Sequence, residues 1–74
     1  MRCEIIFHWD PEAAVWTATS KDVPGLVLES GSFDALVERV KQAVPEMLKL
    51  NGNTSPDFRL SYLTEREDQV AVYG

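Results

Sequence analysis

One apolar stripe of helical period limits this chain to folds in which a single helix covers a small sheet. Between residues 33 and 48, apolar residues recur at spacings of three and four, which places them along one side of a helix. They are Phe33, Leu36, Val37, Val40, Val44, Met47 and Leu48. A helix with one apolar side must bury that side against another element. The other apolar segments have strand patterns, so we expect the helix to lie on one face of a sheet.

The ends of this helix are also visible in the sequence. The Ser32 hydroxyl can accept a hydrogen bond from an unpaired N–H of the first turn, and Asp34 suits the positive end of the helix dipole. Asn51-Gly52 is a typical left-handed stop. Pro45 removes one hydrogen bond inside the stripe, at a cost of about 3 kcal/mol. The stripe nevertheless keeps its phase on both sides of Pro45, so we expect one kinked helix rather than two.

Four short segments have strand patterns. Residues 3–9 alternate between an apolar and a polar side, as a half-buried strand does. Asp10-Pro11 then favours a turn, and residues 15–20 and 26–30 predict a second and a third strand. After the helix, residues 57–65 predict a fourth strand. This order predicts an α+β fold in which the helix covers a sheet of three or four strands.

The last nine residues, 66–74, combine a charged turn with a possible short fifth strand, VAVY, at residues 70–73. The whole chain, residues 1–74, is short enough to be one domain. A domain of this size buries only about 60% of the surface of its extended chain, so its stability is marginal. We therefore expect self-association, most simply as a homodimer or a higher oligomer, in which residues 70–74 add a strand to an exposed sheet edge.

The charge of the chain excludes some classes of partner. The formal net charge is −5 with only seven lysines and arginines, which disfavours direct binding to DNA or RNA. An acidic surface favours either a basic protein partner or simply solubility, and the sequence leaves both open. No apolar run reaches about 18 residues, and the N-terminus lacks a signal-peptide pattern, so we expect no membrane association. Cys3 is the only cysteine, which excludes an intrachain disulfide and suits a reducing cytoplasm.

No residue pattern indicates catalysis. His8, the only histidine, falls on the polar side of the first strand, whereas Cys3 falls on its apolar side, so a nucleophile–base pair is not expected. There is no glycine-rich phosphate loop, and the middle of the fourth strand has no acid for a two-metal site. We predict no catalytic residue, no cofactor and no metal site, and hence a protein that is not an enzyme.

The segment SKDVPGL, residues 20–26, joins the second strand to the third through a rigid corner. Asp22 disfavours a sheet, Pro24 cannot donate a ladder hydrogen bond, and Gly25 permits a positive φ. The corner either contacts a partner or only joins two strands. Two tryptophans flank the hairpin turn before it; they pack in the core, or one is exposed at an interface. The candidate partner-binding residues are Asp22, Val23, Pro24, Gly25, Trp9 and Trp16.

Three motifs in this order resemble the N-terminal domain of HicB-type antitoxins, and still more their small uncharacterised bacterial relatives. They are the acidic turn before an aromatic strand (DPEAAVW), the corner (DVPGL) and the capped start of the helix (SFDALVERV). The resemblance covers residues 2–62, and each motif alone is weakly specific. Pro45, in AVPEML, is more similar to the uncharacterised relatives than to typical antitoxins.

The resemblance implies a partly degraded RNase H-like fold with a three-stranded antiparallel meander, one helix and a fourth strand parallel beside the first. A strand–helix–strand connection also favours a parallel crossover on general grounds. The resemblance further implies a binding protein, without the acids of its nuclease ancestor, that masks a small basic RNA-cleaving toxin. Many such antitoxins carry a C-terminal DNA-binding domain. This sequence ends about where that domain would begin, so the resemblance does not extend operator binding to it.

Two functional hypotheses follow. The first is a non-enzymatic, antitoxin-like module of a toxin–antitoxin type system that binds a basic RNA-cleaving toxin. The alternative is a stand-alone oligomeric scaffold or ligand-binding protein of the same fold with no toxin partner.

Overall fold

The fold is a four-stranded sheet with one helix packed on one of its faces. The computed structural model describes residues 1–53, 55 and 57–73. In chain order the elements are β1 (Arg2–Asp10), β2 (Val15–Thr19), β3 (Val27–Ser30), α1 (Phe33–Leu50) and β4 (Arg59–Glu65). The strand order is β3-β2-β1-β4; β1 pairs antiparallel with β2 and parallel with β4. The predicted α+β fold, with its antiparallel meander and parallel fourth strand, is confirmed.

The core lies between α1 and the inner face of the sheet. On β1, the alternation predicted from the sequence puts Cys3, Ile5 and Phe7 inside, all fully buried. Every fourth residue of α1 is also buried, namely Leu36, Val40, Val44 and Leu48. The two periodicities therefore meet at one interface, as the sequence predicts. No helix in the described part of the chain is both long and apolar enough to cross a membrane.

Both predicted ends of the helix are confirmed. The Ser32 hydroxyl accepts a hydrogen bond from the backbone N–H of Ala35 at 3.2 Å. At the other end Asn51 is the C-cap, and Gly52 has a φ of +83°. Pro45 lies inside α1, so the segment is one helix rather than two. The packing of the apolar side retains the helix despite the hydrogen bond that Pro45 removes.

The β1–β2 hairpin turn is organised by Asp10. Its carboxylate accepts hydrogen bonds from the backbone N–H groups of Glu12 and Ala13, at 3.1 and 3.3 Å. This is the local bonding that the Asp-Pro turn signal predicts. Ala14 completes the turn with a φ of +55°, a left-handed conformation that is uncommon for a residue with a side chain.

Beyond β4, residues 66–73 form the C-terminal tail. The tail contains no strand, so VAVY has no partner strand within the described part of the chain. The molecule is 59 Å long but only 19 by 18 Å across. In the tail the side chains of Val70, Val72 and Tyr73 are all exposed.

Candidate functional site: the outer sheet face and the corner beside it

The corner is fastened to β1 by two side chains that replace the ladder between β1 and β2. Regular pairing stops at Ile6 and Thr19. Beyond that point the Ser20 hydroxyl donates to the carbonyl of Glu4 at 2.6 Å, and the Asp22 carboxylate accepts from the Glu4 N–H at 2.8 Å. Both backbone groups of Glu4 are thereby satisfied although β2 has already turned away. The polar residues of the corner thus have a structural role that the sequence alone does not show.

The next four residues form a tight turn. The N–H of Leu26 donates to the carbonyl of Val23 at 3.1 Å, which places Pro24 and Gly25 at the two central positions. Gly25 has a φ of +85°, as a type II turn requires at its third residue. Asp22, Pro24 and Gly25 are exposed, as expected for partner-contacting residues, but Val23 is fully buried. The side chain of Val23 therefore holds the corner to the core and is not available to a partner.

The face of the sheet opposite α1, here called the outer face, has a row of four residues across its strands, here called the apolar row because three of the four are apolar. The strand register aligns Val27 of β3 with Thr19, Thr19 with Ile6, and Ile6 with Leu63 of β4. Val27 keeps 69% of its surface exposed and Leu63 49%. No helix or strand of the described chain covers this row. Sequence analysis missed it because the row exists only once the register is known.

A signal for this row is present in the sequence. Ile6 and Val27 each stand next to apolar residues that point into the core, and Leu63 stands next to Tyr62, whose ring packs against Phe7. Each of the three therefore interrupts the alternation of its strand. An apolar residue in the outward phase marks a strand that is buried on both faces or covers a contact surface. Three such interruptions on three strands indicate a common apolar feature on the outer face.

Acidic residues border the apolar row on the side toward the β1–β2 turn. The adjacent row places Glu29, Thr17, His8 and Glu65 side by side, and Asp10 follows at the end of β1. His8 is exposed on this face, as predicted. At the opposite end of the sheet Arg2 of β1 and Arg59 of β4 are neighbours in the strand register, and both are cationic. The outer face thus has an acidic end, an apolar middle and a basic end.

The corner and the outer face form one continuous surface. A cavity of about 240 Å³ lies between them and is lined by Glu4, Ile6, Lys21 and Asp22. Ile6 belongs to the apolar row, whereas Lys21 and Asp22 belong to the corner. A partner that docks on the apolar row would therefore also meet the corner.

The two tryptophans lie at the acidic end of the sheet, and both are half-buried. Trp9 and Trp16 are directly paired between β1 and β2, with ring centroids 5.4 Å apart. The Arg66 guanidinium, at the start of the C-terminal tail, lies 4.1 Å from the Trp9 ring centroid and 5.8 Å from that of Trp16. Trp16 also packs edge-on against Phe33 of α1 at 5.1 Å. The pair is therefore partly covered by the chain's own cation, a contact that sequence analysis did not anticipate.

Cys3 is buried on the inner face of β1, where the sequence places it. Burial raises the pKa of its thiol, and the negative charge of Asp22 raises it further. The thiol therefore stays protonated at neutral pH and is a poor nucleophile. Within the described ranges, no three His, Cys, Asp or Glu side chains are grouped so that they could hold a metal ion.

We expect the raised pKa of Cys3 to lower stability at alkaline pH. Above the ordinary thiol pKa of about 8.5, the unfolded chain loses this proton while the folded chain retains it. The folded state then binds more protons, so the free energy of unfolding falls as pH rises. Urea denaturation at a series of pH values from neutral to alkaline, on wild type and Cys3→Val, measures this. The difference between the two free energies should shift with pH above the thiol pKa; a constant difference would contradict the argument.

Comparison with known proteins finds a family and a solved structure that each match nearly all of this chain. Residues 3–74 match a family described as a domain of unknown function, DUF1902. The structure is similar to the crystal structure of a hypothetical protein from the extremely thermophilic bacterium Thermus thermophilus, with a TM-score of 0.81 and 32% sequence identity. That match covers 95% of this chain and 100% of the other. The curated proteins give no match. Neither matching description mentions HicB, so the antitoxin resemblance stays a prediction.

Proposed function

The chain belongs to the DUF1902 family of domains of unknown function, and we propose that it is a non-enzymatic protein-binding module whose outer face docks a basic protein. The partner that we propose is a small basic RNA-cleaving toxin, which would make the chain antitoxin-like. The apolar row on the uncovered side of the sheet carries this proposal.

The row is unusual because of where it lies. Parallel strand pairs are normally covered on both faces, whereas antiparallel sheets can leave one polar face in water. Here β1 and β4 are parallel, and their outward residues Ile6 and Leu63 are direct neighbours. An exposed apolar row on a parallel pair, bordered by charged residues, has the composition of a docking surface with an apolar centre and a polar rim.

The charges favour a basic partner. Glu29 and Glu65 lie beside the row, Asp10 lies beyond them at the end of β1, and the chain as a whole has a formal net charge of −5. Opposite charges across a rim speed up encounter and disfavour partners of the same sign. The resemblance to HicB-type antitoxins independently implies a small basic toxin. Charge and resemblance therefore support the same class of partner.

The test is calorimetric titration with a catalytically inactive, basic RNA-cleaving toxin of a HicB-type system. Leu63→Glu should weaken binding by about tenfold or more, because it puts a charge against the apolar centre of the interface. The side chain is half-exposed in the free chain, so the substitution leaves the fold intact. Wild-type association should also slow as salt is added, since salt screens the acidic border.

Leu50→Glu is the matched control, because Leu50 is an exposed leucine at the end of α1, away from the outer face. It changes the net charge equally and should leave the affinity for the toxin unchanged. Equal affinities for wild type and Leu63→Glu would remove the outer face from the interface. If the wild type does not bind the toxin, the toxin is not the partner of this chain. In that case, wild type and Leu50→Glu can be compared with Leu63→Glu for capture of a basic protein from a lysate. Capture by the first two but not by Leu63→Glu would still support the outer face as the docking surface.

A further inference from the structure

We propose that residues 69–73 of one copy add as a strand to the open edge of β4 in a second copy. This contact is separate from the outer face, and it makes the chain self-associate through its C-terminal tail. Five features support it: the orientation of the β4 backbone, the protection of the opposite edge, the groove beside β4, the exposure of the tail and the direction in which the tail starts.

The backbone of β4 offers unused hydrogen-bonding groups on its outer edge. The N–H of Arg59 donates to the carbonyl of Met1 at 2.8 Å, so Arg59 faces β1. Backbone direction alternates along a strand, and hence the N–H and C=O groups of Leu60, Tyr62 and Thr64 face away from β1. In the described structure, β4 ends the sheet and has no strand on that side. Three residues thus present a ready-made pairing edge.

The other edge of the sheet is shorter and partly blocked. β3 has only four residues, whereas β4 has seven. The Arg39 guanidinium of α1 donates to the carbonyl of Glu29 at 2.9 Å, which occupies one of the few acceptors on the β3 edge. A charged side chain over an edge is a common protection against strand addition. Of the two edges, β4 is therefore the one open to an added strand.

A groove between α1 and the β4 edge can receive the side chains of an added strand. Its volume is about 490 Å³, and it is lined by Lys41, Pro45, Asp57, Phe58, Leu60 and Tyr62. A strand beside β4 directs every second side chain to the helix side of the sheet. There it would cover Leu60 and Tyr62, which are only partly buried in the single chain.

The C-terminal tail has the composition of a missing strand. Val70, Val72 and Tyr73 keep 79%, 93% and 91% of their surface exposed. Removing such apolar side chains from water is favourable, so the tail gains by covering them. β-branched and aromatic residues also favour a strand. The match to the family extends to residue 74, which includes these residues in the family's domain.

The start of the tail is held in a direction that favours a second copy. Arg66 stacks on Trp9, and its guanidinium lies 3.4 Å from the carboxylate of Asp68. Residues 67–69 then line a cavity with Pro11 of the β1–β2 turn, so the tail leaves β4 on the side of β1 and β2 and not at the open edge of its own β4. The β4 edge of each copy is then free for the tail of another copy. In a two-fold dimer each tail pairs with the β4 edge of the other copy.

Sedimentation equilibrium at micromolar concentration tests the proposal. The wild type should sediment at twice the 8.3 kDa chain mass, and deletion of residues 69–74 should give monomers. Thr64→Pro should also give monomers, because it removes an outward N–H from an edge strand without breaking the β1–β4 ladder. Thr64→Ala is the matched control that keeps the N–H, and it should remain dimeric. A monomeric wild type, or a dimer that persists in the deletion variant, would overturn the proposal.

A mixing experiment covers the case in which Thr64→Pro disturbs the fold, which circular dichroism would reveal. The deletion variant retains the β4 edge, so its amides can be followed by nuclear magnetic resonance after isotope labelling. Addition of unlabelled Thr64→Ala protein, which supplies intact tails, should shift the amide signals of Leu60, Tyr62 and Thr64. Addition of unlabelled deletion variant should not. Unmoved β4 signals in the first mixture would show that the tail does not bind this edge.

Discussion

Phe7→Ala is expected to destabilise the chain by about 3–5 kcal/mol, the usual range for removing a buried phenylalanine. Phe7 is fully buried, its ring centroid is 4.9 Å from that of Phe33 on α1, and it lies 5.5 Å from that of Tyr62 on β4. It also pairs directly with Ala18 of β2. One side chain therefore connects the helix with three of the strands. At about 0.05–0.15 kcal/mol per residue, a chain of this length has only about 4–11 kcal/mol to lose.

Urea denaturation followed by circular dichroism measures this effect. Leu50→Ala is the control, because it removes an equally apolar side chain from an exposed position. Exposed substitutions of this kind normally change stability by less than about 0.5 kcal/mol. A loss below about 1 kcal/mol for Phe7→Ala would mean that the ring is not the centre of the core.

The fold could be predicted because its signals are local. Ser32 caps α1 through a hydrogen bond three residues away, and Gly52 ends it with a positive φ. The alternation of β1 needs only neighbouring residues to distinguish Phe7 from His8. The place of β4 beside β1 is implied by the resemblance, whereas its parallel direction follows from the strand–helix–strand connection. In each case the deciding interaction lies within one element or one connection.

The candidate site could not be predicted to the same extent because it depends on contacts between distant parts of the chain. Ile6 and Leu63 become neighbours only in one register of β1 and β4, which are separated along the chain by β2, β3 and α1. The contact of Arg66 with Trp9 joins the tail to the first hairpin. By sequence Val23 is a candidate partner-binding residue, but the tight turn that follows it holds its side chain in the core. A one-residue error in register reverses every such assignment.

The two proposed contacts leave room for one another. Tail addition uses the backbone edge of β4 and the groove toward α1, whereas partner docking uses the opposite face of the sheet. In a dimer joined by its tails each copy would keep its own outer face, and a partner with two binding sites would then gain avidity. Self-association and partner binding can therefore be separated by variants on one strand: Thr64→Pro affects the edge, and Leu63→Glu affects the face.

Asp22→Ala is expected to destabilise the chain by about 1.5–3 kcal/mol, the typical worth of a hydrogen bond to a charged group. The Asp22 carboxylate satisfies the Glu4 N–H at 2.8 Å, at the point where β2 has left the ladder. The hydroxyl of Ser20, which holds the Glu4 carbonyl, also accepts from the N–H of Asp22 at 3.1 Å, so the two bonds support each other. Loss of the carboxylate therefore loosens both links between the corner and β1.

Thermal and urea unfolding of a short series of variants separates this structural role from a role in partner binding. Asp22→Asn keeps an acceptor oxygen for the Glu4 N–H and should retain more stability than Asp22→Ala. Lys21→Ala, next in the chain and exposed, is the control that should leave stability unchanged. If Asp22→Ala unfolds like the wild type, the carboxylate does not hold the corner. If Asp22→Asn is as stable as wild type but binds the toxin more weakly, the charge of Asp22 belongs to the interface. In that case the hydrogen bond to the Glu4 N–H is retained and only the charge is missing.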